Sequence, residues 1–275
     1  MRAPLRFRLV TLDDLTIDDH ASFADVAIYA RLEAILRRSA HGFRIPEGNR
    51  TASWDRALFL NLTYWNDDEG ADVLCDDHIP ADVVAHVGWH KVVSEGLARR
   101  SSRPSGPPSA AALFLGESIA SAFDLYLVGR LLRTAPECDF VTTQVPLMAE
   151  CAGEAGLPAA RFSALLEEVA REPERAFEDL RALLFDAATT LVACPGVPEA
   201  QAALEGFADR RFAPLLHHYQ LSNWILYARA YGARPPEAGA AAIEMDAALR
   251  QAPVSLEWLD RHLIEAAATA PHAAT

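Results

Sequence analysis

Two histidines, His86 and His90, stand four residues apart in the stretch Ala85-His-Val-Gly-Trp-His-Lys91. On a helix, ~100° per residue puts them ~40° apart on one face, where both imidazoles reach a single metal ion. Val83, Val93 and Leu97 share that face, so the pair belongs to an apolar stripe in which an unpartnered ring nitrogen is costly. The next helical segment offers a carboxylate. Between Ser109 and Arg130 the only charges are Glu117 and Asp124. They share nearly one face with Leu113, Ala120 and Leu131. A buried carboxylate needs a cation, strong donors or a proton, and no basic residue of that segment lies within one turn of Glu117. The nearest candidates in sequence are the two histidines. Two histidines and a carboxylate form the ligand set of a zinc site with an open coordination position. The same three ligands suit Fe2+ or Mn2+. A core His–carboxylate cluster without metal is the competing reading.

The segments that must position these residues read as helical, and the fold class expected is mainly α: one domain over 1–275 of eight to ten helices. Its metal-site half covers 20–135 and its helical wall half 138–268. Residues 21–39 carry apolar residues at helical spacing, with Arg37 and Arg38 where the helix dipole favours cations. A short strand or hairpin is expected near 56–64. The histidine helix is expected to start near Asp77 to Pro80, a capping residue followed by a first-turn proline, and to run to about Arg99. Residues 101–109, rich in Ser, Pro and Gly, read as an exposed loop. Ser109 then caps a helix that runs from Ala110 to about Arg133. Further helices are expected at 140–153, 158–171, 174–193, 198–209, 212–231, 240–250 and 254–268, with a frayed tail at 269–275.

At motif level the metal-site region resembles the gluzincin metallopeptidases, a zincin family with His-Glu-x-x-His on one helix and a third ligand in a Gly/Asn-Glu-x-x-Ala/Ser stretch on a later one. His86-Val-Gly-Trp-His90 matches the histidine positions, and Gly116-Glu-Ser-Ile-Ala120 resembles the third-ligand segment. The resemblance spans about forty residues and implies His86, His90 and Glu117 as metal ligands. Val87 occupies the family's general-base position, and Ser121 the position where many members place a supporting Asp; Asp124, one turn further, is the substitute. A peptidase of this type needs a carboxylate to take a proton from metal-bound water. Three readings stay open. One is a hydrolase whose base comes from elsewhere, with Glu95 and Asp77 as candidates. The second is a non-heme iron oxidase or oxygenase. The third is a zincin-derived pseudoenzyme that keeps its metal.

His78 is a candidate supporting residue for the site, although a capping or loop role suits it better. His217 and His218 precede Tyr219 and point to different faces, so at most one of them lines a core. The run Asp13, Asp14, Asp18, Asp19 lacks the spacing and glycine of a calcium loop. The chain has 275 residues, 51% of them hydrophobic, and a net charge of −13, which argues against nucleic acid because no basic surface displaces phosphate counterions. Four cysteines without C-x-x-C spacing read as reduced thiols, and no charge-free apolar run reaches ~18 residues. The expectation is a cytoplasmic protein that does not enter membranes and acts on a small-molecule or peptide substrate.

Overall fold

Apolar periodicity at helical spacing is what most of this chain offers, and helix is what forms. The computed structural model describes residues 7–47, 72–100, 108–232 and 239–269. Among them are twelve α-helices and five short strands. The strand or hairpin expected at 56–64, most of the 101–109 loop and the tail beyond Thr269 lie outside the described residues. Contacts divide the chain into two units, Met1–Gly88 with Ala270–Thr275, and Trp89–Thr269. Their boundary falls inside the histidine helix, whereas the sequence reading divides a single domain at 135–138.

The first unit holds all five strands. β1 (Phe7–Thr11) runs antiparallel to β3 (Gly42–Pro46), from Phe7 opposite Pro46 to Thr11 opposite Gly42, and β3 pairs in parallel with β4 (Asp72–Val73). β2 (Thr16–Asp18) pairs in parallel with β5 (His78–Pro80). None was expected from sequence, because two to five residues leave little room for a period-2 pattern and every partner lies far along the chain. The helix expected over 21–39 is two, α1 (His20–Phe23) and α2 (Ala27–Arg38). α2 buries Tyr29, Leu32, Ile35 and Leu36. On its other side Glu33 accepts from Arg37 at 2.9 Å, and Arg37 reaches back to Asp13 at 2.6 Å.

β5 leads directly into α3 (Ala81–Arg100), so of the Asp77 to Pro80 stretch read as a helix start, His78–Pro80 is strand and the helix begins just after it. Within the first unit α3 buries Ala81, Val84, Ala85 and Val87. It approaches α2 closely: a Cβ on Gly88 would stand 2.8 Å from the Leu32 Cβ, so only glycine fits there.

In the second unit α4 (Ala110–Thr134) begins at Ser109, whose Oγ accepts from the Ala112 N–H at 3.1 Å as a capping residue should. Sixteen of its residues, from Phe114 to Leu131, are buried. It is long and apolar enough to cross a membrane by length and composition, its two interior carboxylates notwithstanding, and most of it is covered by its own protein. α5 (Asp139–Glu154), α6 (Ala159–Arg171) and α7 (Pro173–Ala193) follow, and α4 packs most extensively against α7 and then α6. Gly129 permits this, since a Cβ there would meet the Val169 carbonyl oxygen at 2.7 Å and the Pro173 Cβ at 3.1 Å.

α8 (Val197–Glu205) is followed by a 3-10 turn over Ala213–Tyr219 and α9 (Leu221–Tyr231). The single helix expected at 212–231 is broken by Gln220, which adopts a left-handed conformation with φ 48°. α10 (Ala240–Gln251), α11 (Ser255–Leu259), a π turn at Asp260–Ile264 and α12 (Glu265–Thr269) complete the unit.

Candidate metal centre

His86, His90 and Glu117 come together. Each offers one ligand atom, and the three atoms lie within 4.8 Å of one another. α3 brings the two histidines into line by their i,i+4 spacing. Glu117, from the buried stretch of α4, is 5% exposed. The His90 Nε2 stands 3.8 Å from Glu117 Oε1. Zinc bonds of ~2.0–2.1 Å at a tetrahedral angle put ligand atoms ~3.3 Å apart, about 0.5 Å closer than the His90–Glu117 pair stands.

The wall beside this pair is aromatic and tightly packed. Trp89, between the two histidines in sequence, is fully buried. Its ring meets Phe123 edge-on, centroids 5.4 Å apart at 67°, and Phe123 stacks on Tyr126 at 5.1 Å. Gly116, next to Glu117, lies beside His90: a Cβ there would be 3.5 Å from Nδ1, an ordinary contact. The histidines themselves are half-buried, on the margin of the buried face of α3 rather than within an apolar stripe. Val87, at the position of the general base in the resemblance, is 4% exposed and belongs to the core.

The other carboxylates and the third histidine have partners of their own. Asp77 is ion-paired with Arg8 on β1. His78 Nδ1 lies 2.8 Å from Asp18 Oδ1 on the neighbouring strand, and its backbone N–H donates to Asp76. The Asp18 carboxylate raises the His78 pKa above its ordinary value. Glu95 pairs with Lys91 at 2.9 Å and with Arg99 at 3.8 Å along the same helix. None of the three joins the group able to hold an ion.

Asp124 stands two turns beyond Glu117, and its charge acts on the 3-10 turn. Burial lowers the pKa of His218, with Asp124 pulling the other way. Burial and the same carboxylate both raise the pKa of Tyr219. The rings of His218 and Tyr219 meet edge-on at 5.0 Å. His217 is exposed.

One polar feature is absent from the sequence reading. Arg181, fully buried on α7, donates to Asp246 at 2.7 Å and with two nitrogens to Glu178 at 2.6 and 2.8 Å. Arg250 extends the network by bonding Asp246 at 2.8 Å and Asp186 at 2.7 Å. The i,i+3 pair Glu178–Arg181 was readable from spacing; its burial was not.

Set against family models, curated proteins and solved structures, the chain matches none of them.

Proposed function

We propose that this chain is a metal-binding protein in which His86, His90 and Glu117 hold one divalent cation, with zinc the first candidate and Fe2+ or Mn2+ the alternatives. The observation that carries the reading is the convergence of these three ligand atoms from two helices, within 4.8 Å of one another. Two imidazoles and a carboxylate suit zinc, and three protein ligands leave room for water or substrate. The site then has the ligands of a gluzincin without its base. Metal-assisted hydrolysis of a small-molecule or peptide substrate would need a carboxylate from another position. Glu95 and Asp77 would first have to leave Lys91 and Arg8. A pseudoenzyme that retains its metal needs no such rearrangement.

A second reading, a non-heme Fe2+ oxidase or oxygenase, is favoured by Val87, because that chemistry works without a carboxylate at the buried position. The free cysteines among the described residues suit the reducing, cytoplasmic setting expected for the chain.

Elemental analysis of the untagged protein, purified without chelator, tests the proposal beside a His86→Ala/His90→Ala double variant. Near one zinc per chain, absent from the variant, supports the zinc reading and directs assays to hydrolysable substrates. Stoichiometric iron or manganese directs them to oxidation. No metal, with none taken up on addition, leaves a His–carboxylate ion pair and overturns the proposal.

A further inference from the structure

Adjacent residues of α3 touch α4 at two separate places. The His90 ring lies beside Gly116 and Glu117, while the Trp89 ring lies against Phe123. Gly116 and Phe123 are seven residues apart, about 10 Å along a helix. α3 is therefore held on α4 by two struts, an imidazole at one point and an indole at the other. The indole strut is the stiffer of the two. Trp89 and Phe123 are both fully buried, and Phe123 is backed by the stacked Tyr126 ring.

Among the described residues the indole Nε1–H meets no hydrogen-bond acceptor, and what Trp89 contributes toward α4 is the size and shape of its ring. Removing that ring leaves a void beside Phe123, and the turn of α3 that carries His90 can shift toward it. That shift moves the His90 imidazole relative to Glu117, and this pair, 3.8 Å apart, must close by only ~0.5 Å to meet zinc.

We infer that Trp89 is the positioning residue of the metal centre: its ring, braced on Phe123, sets the separation of α3 and α4 across which His90 and Glu117 meet one ion. This rests on His86, His90 and Glu117 being metal ligands. It assigns Trp89 no contact with the metal and no part in proton transfer.

The test is zinc affinity of the full-length protein, by competition with a chromophoric chelator, together with the absorption spectrum of the Co2+-substituted form. Four variants are compared with wild type: Trp89→Ala, Trp89→Phe, Phe123→Leu and Leu183→Ala. Leu183 is fully buried on α7 and serves as the control for general loss of core packing. Trp89→Ala is expected to weaken zinc binding by about ten-fold or more, the scale seen when support of a metal ligand is lost, and to alter the Co2+ bands. Trp89→Phe keeps a ring against Phe123 and should retain near-wild-type affinity and spectrum. Phe123→Leu removes the other half of the brace, so it repeats the test if Trp89→Ala does not fold. Leu183→Ala should lower thermal stability and leave affinity and spectrum unchanged. The inference is overturned if Trp89→Ala or Phe123→Leu binds zinc as wild type does, or if Leu183→Ala weakens binding equally. A wild-type protein that takes up no metal overturns the ligand reading itself, and that outcome is read before any variant is made.

Discussion

His90 Nε2 stands 3.8 Å from Glu117 Oε1, and Glu117 is 5% exposed on the most buried helix of its unit. The imidazole of His90 thus stands beside a buried carboxylate for which α4 itself supplies no basic side chain within one turn. His90→Ala should abolish metal binding and also destabilise the protein by about 1–3 kcal/mol, because it takes a polar neighbour away from a buried carboxyl group. The double variant His90→Ala/Glu117→Gln should recover part of the stability while still binding no metal. Metal stoichiometry and urea denaturation read the two effects separately. Full metal occupancy in the single variant would disprove the ligand assignment.

Two glycines of α4 should respond to alanine in opposite directions. Gly129→Ala puts a methyl 2.7 Å from the Val169 carbonyl oxygen, and backbone cannot swing aside as a side chain can. A loss of about 1–3 kcal/mol is expected. Gly116→Ala meets the His90 ring at ordinary contact distance, Nδ1 at 3.5 Å and Cε1 at 3.8 Å, and should gain up to ~1 kcal/mol from helix propensity. It should also leave metal binding intact. Thermal or denaturant unfolding of the two variants decides both points.

Arg181→Ala should be among the most damaging changes in the second unit. It takes from Asp246, 9% exposed, one of its two guanidinium partners, leaving Arg250, and removes both bonds to Glu178. Breaking a buried ion pair from one side costs about 3–5 kcal/mol. The paired replacement Arg181→Met/Asp246→Leu should cost clearly less than Arg181→Ala in the same denaturation assay. Equal losses would mean that the network contributes through packing alone.

Two histidines should titrate on opposite sides of the ordinary value near 6.5. His78, bonded to Asp18, is shifted up. Its contribution to stability is complete below the ordinary value and is lost as pH rises through the folded one. His218 is shifted down by burial. Its effect has the other sign: stability is undiminished above the ordinary value and declines as pH falls from there to the folded one. NMR titration of ring protons should show Asp18→Asn lowering the His78 midpoint. Asp124→Asn should lower that of His218 further, because the Asp124 charge currently holds it up.

Local signals in the sequence determined most of the helices and the identity of the candidate ligands. Ser109 before an apolar run, prolines near helix starts at Pro173 and Pro198, and apolar residues every third or fourth position act within one or two turns. Such signals need no knowledge of the rest of the chain. The same holds for His86 and His90, since helical geometry alone puts both on one face, and for Glu117, whose need for a cation follows from the apolar residues around it. What lies between distant residues was decided by the tertiary structure. The strands exist through ladders such as Thr11 opposite Gly42 and Thr16 opposite His78. Arg181 could be buried only because Asp246, 65 residues away, meets it there. Tertiary packing also put Val87 in the core and left His86 and His90 half-buried at its margin. Helical periodicity fixes the angle between side chains, but what each face of the helix meets is settled only when the other elements pack against it.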